Sequence, residues 1–306
     1  MKTAIKLSVL GSAVLLMALG SAVLLMAACD SLDPDSTKNE FWYSNPTDTT
    51  LTFKVDDKEY TTEPGTAAKL KLSPGMHSIE NAKGEKQNFM VYDNNSGGII
   101  NPDNHVYYML SEVYAVEGQS DRFKPALYDV TINGHDLQMP VRSSNATLID
   151  HNLFNCSYPV GTAFPEEITT SNRQSVGNIK TKCFDKAELV AYIASDYGEK
   201  LQPVAPGDEL KDSVNMTFDY TIPEPQFKDA ETQKQALKLT GLLKQINESD
   251  NPDIHDKLNK EIHQTTMDLV SASAGSASSN TVAENEYYNT FITQTGNFRA
   301  FGVLPK

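Results

Sequence analysis

Positive charge is scarce in this 306-residue chain: 26 Lys and Arg stand against 40 Asp and Glu, for a formal net charge of −14. That balance argues against nucleic acid, or an anionic membrane surface, as a non-specific electrostatic partner. Cysteine is nearly absent, with three in all and no Cys-x-x-Cys pair. No His-Glu-x-x-His, nucleophile elbow, P-loop, dinucleotide fingerprint or calcium-loop spacing occurs, so the sequence calls for neither a cofactor nor a metal. Long apolar runs are missing too, with one exception at residues 7–29, which carry no charge before Asp30. With 39% hydrophobic and 22% charged residues, the chain is neither disordered nor a multi-span membrane protein.

The exception is an address. Lys2 and Lys6 form a short positive region, Leu7 to Ala28 is an apolar run of secretory type, and a tandem copy (Gly11–Ala18 repeated as Gly20–Ala27) lengthens it. The run ends Met26-Ala27-Ala28-Cys29-Asp30. A cysteine directly after two small residues at the polar edge of such a run resembles the lipobox of bacterial lipoproteins, with Met26 where that family usually has Leu. The resemblance implies cleavage after residue 28, a diacylglycerol and an acyl chain (palmitate) on Cys29, and membrane attachment through lipid alone. Two or more acyl chains give stable anchoring, at ~0.8 kcal/mol per buried methylene. Asp30 next to the lipidated cysteine resembles the enteric signal for retention in the inner membrane, the outer membrane being the alternative. Loss of Lys2 and Lys6 with the leader takes the net charge to −16.

With Cys29 taken by lipid, Cys156 and Cys183 remain as an even pair in an oxidising compartment, the arithmetic of a disulfide. Closing that loop stabilises a fold by about 3–4 kcal/mol on the chain-entropy account. Residues 29–38, polar and broken by Pro34, read as a lipid-anchored tether.

From residue 39 to 117 the period is two. Leu51, Phe53 and Val55 alternate with Thr52 and Lys54, Asp56-Asp57 opens a tight turn, and Leu70 and Leu72 alternate with Lys69 and Lys71. Short strands between turns describe an antiparallel β-sandwich-like domain. The strand ending in Asp56-Asp57, with Leu70-Lys71-Leu72-Ser73-Pro74-Gly75-Met76-His77-Ser78-Ile79, resembles the PEGA-like sandwiches of bacterial envelope proteins over residues 40–80. Gly97-Gly98 reads as a turn before a strand, since no helix start or basic residue follows to make it a phosphate cradle.

Residues 118–228 form a mixed α/β region that carries the disulfide. Asn133-Gly134 marks a hairpin, Phe184–Ile193 a short helix, and Met216–Ile222 an alternating strand stopped by Pro223 and Pro225. Residues 229–306 are helical. Leu239, Leu242, Leu243 and Ile246 make one stripe, and Ile254, Leu258, Ile262 and Leu269 make a second after Asn251-Pro252, together an αα-hairpin. A Ser/Ala-rich linker follows at 271–280, then a helix from the Thr281–Glu284 capping box through Phe291, and a terminal strand including Phe298, Phe301, Val303 and Leu304. The fold class is therefore α+β.

Chemistry has few footholds. His255 and His263 lie two helical turns, roughly 12 Å, apart, too far to share a metal. His77 and His135 sit at strand and turn positions. Asp150-His151 is an adjacent acid–imidazole pair, with Cys156 and Ser157 close behind. The reading that follows is a periplasm-facing, lipid-anchored, non-catalytic binding or scaffold module with a protein partner. A periplasmic hydrolase at Asp150/His151 and a protective protein that binds an incoming toxin are the alternatives. Whether the protein is an enzyme is left open, leaning to no. Replacing Cys29 with Ser is expected to leave an unprocessed precursor without radioactive palmitate; label retained in that variant would refute lipidation.

Overall fold

A computed structural model describes residues 37–168, 176–276 and 280–306, so Cys29, Asp30 and the leader lie outside the described residues. The fold is α+β. Fourteen strands and four helices are described: β1 (Glu40–Ser44), β2 (Leu51–Val55), β3 (Lys58–Thr62), β4 (Ala67–Lys71), β5 (Gly75–Glu80), β6 (Lys86–Val91), β7 (Gly98–Ile100), β8 (Tyr107–Ala115), β9 (Tyr128–Ile132), β10 (His135–Met139), β11 (Val141–Ser144), β12 (Leu148–Asp150), β13 (Gly177–Phe184), α1 (Lys186–Asp196), α2 (Ala230–Glu248), α3 (Asp253–Ser276), α4 (Val282–Ala300) and β14 (Val303–Pro305). Among the described residues no helix is long and apolar enough to cross a membrane.

The strands build a five-stranded sheet ordered β14-β6-β5-β2-β3, a four-stranded sheet β12-β7-β1-β4, a three-stranded sheet β11-β8-β13 and the β9–β10 hairpin. Pairing is antiparallel throughout except between β1 and β7, which run parallel through Phe41–Gly98 and Trp42–Ile99. Alternation along each central strand supplies two cores at once. In β6 and its extension, Phe89 and Val91 join the core between the five- and four-stranded sheets, while Met90 and Tyr92 face α2, α3 and α4. In the four-stranded sheet, Phe41, Tyr43, Ile100 and Leu148 face that same first core, and Trp42, Ile99 and Ile149 turn towards Tyr107, Met109 and Cys183 of the three-stranded sheet. β8 repeats the device, its Tyr108 and Leu110 packing with β9, β11 and α1. The body is thus a stack of sheet on sheet, closed by helices at either end.

Local chemistry fixes the ends of these elements. Asp56 and Asp57 both take positive φ in the β2–β3 turn, and Asp56 also accepts from His77 Nδ1 at 2.6 Å and the Ser78 amide at 2.9 Å. Gly97 lies at φ +77°, where a Cβ would stand 2.0 Å from the Glu40 carbonyl oxygen. Asp185 caps α1, Asp229 caps α2, and Thr281 with Glu284 forms the capping box of α4.

The sequence blocks do not close on themselves. β12, from the middle block, pairs with β7, and β14, from the helical block, pairs with β6. Three local expectations need correction. Residues 216–222 alternate as expected, with Phe218, Tyr220 and Ile222 against the helical core, but belong to no strand; the backbone upstream hydrogen-bonds singly, from Ser213 to Thr131 and from Met216 to Ser143. The 271–280 linker is helical to Ser276, the last residue of α3, because Ser273 is buried four residues after Leu269 and hydrogen-bonds Tyr288. Helix α4 continues past Phe291 to Ala300, since Phe291, Thr295 and Phe298 all face inward at helical spacing; the terminal strand therefore starts at Val303 and excludes both Phe298, in the helix, and Phe301, its C-cap.

His255, on the first turn of α3, is buried with its ring centroid 5.0 Å from that of Tyr92. Burial lowers its pKa against the upward pull of the Arg299 backbone and Asp256. A histidine whose folded pKa lies below its unfolded value near 6.5 stabilises the fold above that pH, and the contribution is lost as pH falls below it. His255→Leu is accordingly expected to lose less stability than the native chain between pH 7 and 5, read from urea midpoints.

Candidate functional site

The sequence-predicted residues of the middle block meet where β12 runs out. Asp150 pairs with Gly98 in the ladder, and its carbonyl accepts the amides of Leu153 (3.1 Å) and Phe154 (2.8 Å), which turns the chain sharply back. The returning segment is stitched to the outer edge of β13: Thr181 Oγ1 donates to the Asn155 carbonyl at 2.7 Å and accepts from the Ser157 amide at 3.0 Å. The Tyr158 amide donates to Thr181 and the Cys183 amide to Tyr158. This registration brings Cys156 and Cys183 to disulfide distance, with Cα atoms 5.5 Å apart. The pair holds the start of α1 to the loop after β12.

Asp150 and His151 are neighbours that face apart. Both are buried. One Asp150 oxygen accepts the Gly302 amide at 2.7 Å and the Val303 amide at 3.1 Å, and the other accepts the Asn152 amide at 2.9 Å. Desolvation pushes its carboxyl up to about 6 against the pull of those three donors. His151 instead directs Nε2 at Cys183 Sγ, 3.9 Å away, and burial lowers its pKa to about 4, so the ring is neutral near pH 7. Ser157 Oγ lies 3.5 Å from Thr181 Oγ1. Among the described residues the geometry aligns no Asp–His–Ser relay here; a hydrolase reading needs the Asp150 carboxylate on the imidazole, and it serves the C-terminal backbone instead. His151, Cys156 and Cys183 do converge, their donor atoms lying within 4.8 Å of one another.

A second buried cluster escaped the sequence reading. Lys182, with 2% of its side chain exposed, sits 2.6 Å from Glu188 of α1. It also donates to the Cys183 and Pro159 carbonyls at 3.0 and 3.3 Å and lies 4.2 Å over the Phe184 ring. Burial lowers its pKa while Glu188 opposes. Nothing in Lys180-Thr181-Lys182 distinguishes the buried lysine from the half-buried one except its nearness to Cys183 and Phe184 at the strand's buried end. Asn95 was missed as well: its amide side chain joins Asn39, Tyr92 and Gly97 through four hydrogen bonds.

No protein-family model, curated protein or solved structure matches the chain.

Asp150→Asn is expected to lower the unfolding free energy by about 2–3 kcal/mol, because in either orientation its amide NH2 would face at least one backbone donor. Urea unfolding measures the loss, and amide exchange at Val303 should accelerate with it.

Proposed function

We propose that the protein is a lipid-anchored envelope protein, held by Cys29 at the periplasmic face of the inner membrane, that works as a non-catalytic binding or scaffold module for another envelope protein. The observation that carries the location is the charge-free run at 7–29 ending in Ala-Ala-Cys-Asp. Support for a binding role comes from the use made of the buried polar groups at the candidate site. The Asp150 carboxylate holds backbone amides, Lys182 is paired with Glu188, and the two body cysteines stand at bonding distance. Each is spent on cohesion of the stack. The tether lets a body whose interior is committed in this way present its outer strands and helices at a distance from the bilayer.

Crosslinking in intact cells followed by purification of the full chain is expected to recover a defined envelope protein, and to lose it when residues 1–29 are replaced by a cleavable secretory leader that carries no lipidated cysteine. Turnover of an ester, peptide or cell-wall substrate by the purified chain, abolished by His151→Ala with the fold intact, would replace this reading by the hydrolase.

A further inference from the structure

The scaffold reading uses the two body cysteines as a bond and leaves unused the buried imidazole of His151 that converges on them. His151 is placed by the β12–β7 edge, where its amide donates to the Gly97 carbonyl at 3.1 Å. Cys183 is placed by its register opposite Met109 in β13–β8, and Cys156 by the stitching of the neighbouring Ser157 to Thr181. All three residues are buried; two stretches of chain, the turn after β12 with His151 and Cys156 and the end of β13 with Cys183, bring their donor atoms within 4.8 Å of one another, with the two sulfurs at disulfide distance.

We propose that the dithiol state of the protein binds one thiophilic divalent cation of the zinc class through Cys156 Sγ, Cys183 Sγ and His151 Nε2. The separation of Cys183 Sγ from His151 Nε2, 3.9 Å, is close to the edge of such a coordination triangle. Zinc–sulfur and zinc–nitrogen bonds of about 2.3 and 2.0 Å, set at the tetrahedral angle, put the two donors about 3.5 Å apart, a few tenths of an ångström inside the observed separation. Charge decides the class of ion. Two thiolates and a neutral imidazole carry −2, and a divalent cation makes the buried unit formally neutral, whereas a monovalent one leaves a net charge in an apolar core formed with Phe154, Val160 and Met216. Soft sulfur donors disfavour magnesium and calcium.

Binding exchanges two thiol protons for one M2+, both protons passing to solvent. Disulfide formation removes two electrons and two protons from the same pair, delivered to a disulfide oxidant that is reduced to its dithiol, and leaves no thiolate to coordinate. Metal and disulfide are therefore alternative states of one sulfur pair, the metal belonging to the chain before it is oxidised. This inference does not depend on the envelope reading, because it concerns the isolated chain.

The test uses the full chain reduced with a phosphine, freed of reductant under argon and titrated with Co2+ as the probe. Expected are one equivalent bound, thiolate-to-cobalt absorption in the near ultraviolet, displacement by Zn2+, and no such absorption in the oxidised chain. His151→Ala should weaken binding by more than about tenfold. Absence of the thiolate bands, or equal affinity in His151→Ala, would overturn the proposal. Should that variant fail to fold, X-ray absorption of the Zn2+-loaded native chain decides: two sulfur neighbours and an imidazole support the site, and any shell without both sulfurs and the imidazole refutes it.

Discussion

The Asp150 carboxylate is the point on which the stack turns. It ends β12 in the four-stranded sheet, and it holds the amides of Gly302 and Val303 as the chain leaves α4 and enters the five-stranded sheet. A buried carboxylate with three amide donors converts a desolvation cost into a geometric constraint: removing any partner leaves a buried charge or a buried N–H unpaired. Around it the backbone is too tight for side chains. A Cβ on Gly302 would stand 2.6 Å from Asn95 Cα, and one on Gly98 2.5 Å from the Ile149 carbonyl oxygen. The Gly302 carbonyl in turn accepts the Tyr92 amide at 2.9 Å, so sheet, sheet and helix meet through hydrogen bonds rather than through bulk.

The rest of the stack depends on strands that are apolar on both faces. Phe89-Met90-Val91-Tyr92 is buried at every position, and so are Tyr107 to Leu110. Such runs are expected where a sheet is covered on both sides. The edges of the stack show the opposite pattern: β3 exposes Lys58, Glu59 and Thr61, which discourages pairing with another chain.

Much of this was legible in residue patterns, and some was not, for identifiable reasons. The β2–β3 turn at Asp56-Asp57, the Asn133-Gly134 hairpin, the capping box at Thr281 and the stripes of α2 and α3 are local signals, and local signals survive folding. The disulfide-distance pair followed from cysteine arithmetic alone. The extension of α3 through Ser271–Ser276 was missed because small residues look like a linker until Tyr288 is seen to cover Ser273. The alternation at 216–222 suggested a ladder, yet alternation reports which side chains are buried and says nothing about whether a partner strand lies alongside. Asp150 and His151 are adjacent, yet Asp150 ends β12 with its carboxylate on the C-terminal backbone while His151 opens the turn and faces Cys183, so nearness in sequence makes no relay.

What the sequence determined by itself was the class of fold, the period of each element, the caps and turns, and the N-terminal pattern on which the proposed compartment rests. These follow from residue-by-residue stereochemistry and from apolar spacing. Which elements become neighbours was decided only by tertiary structure. The insertion of β12 and β14 into sheets begun a hundred or more residues earlier, the burial of Lys182 beside Glu188, and the meeting of His151 with two sulfurs all depend on contacts between distant segments. No local pattern encodes such contacts, because their free energy appears only when the layers close on one another.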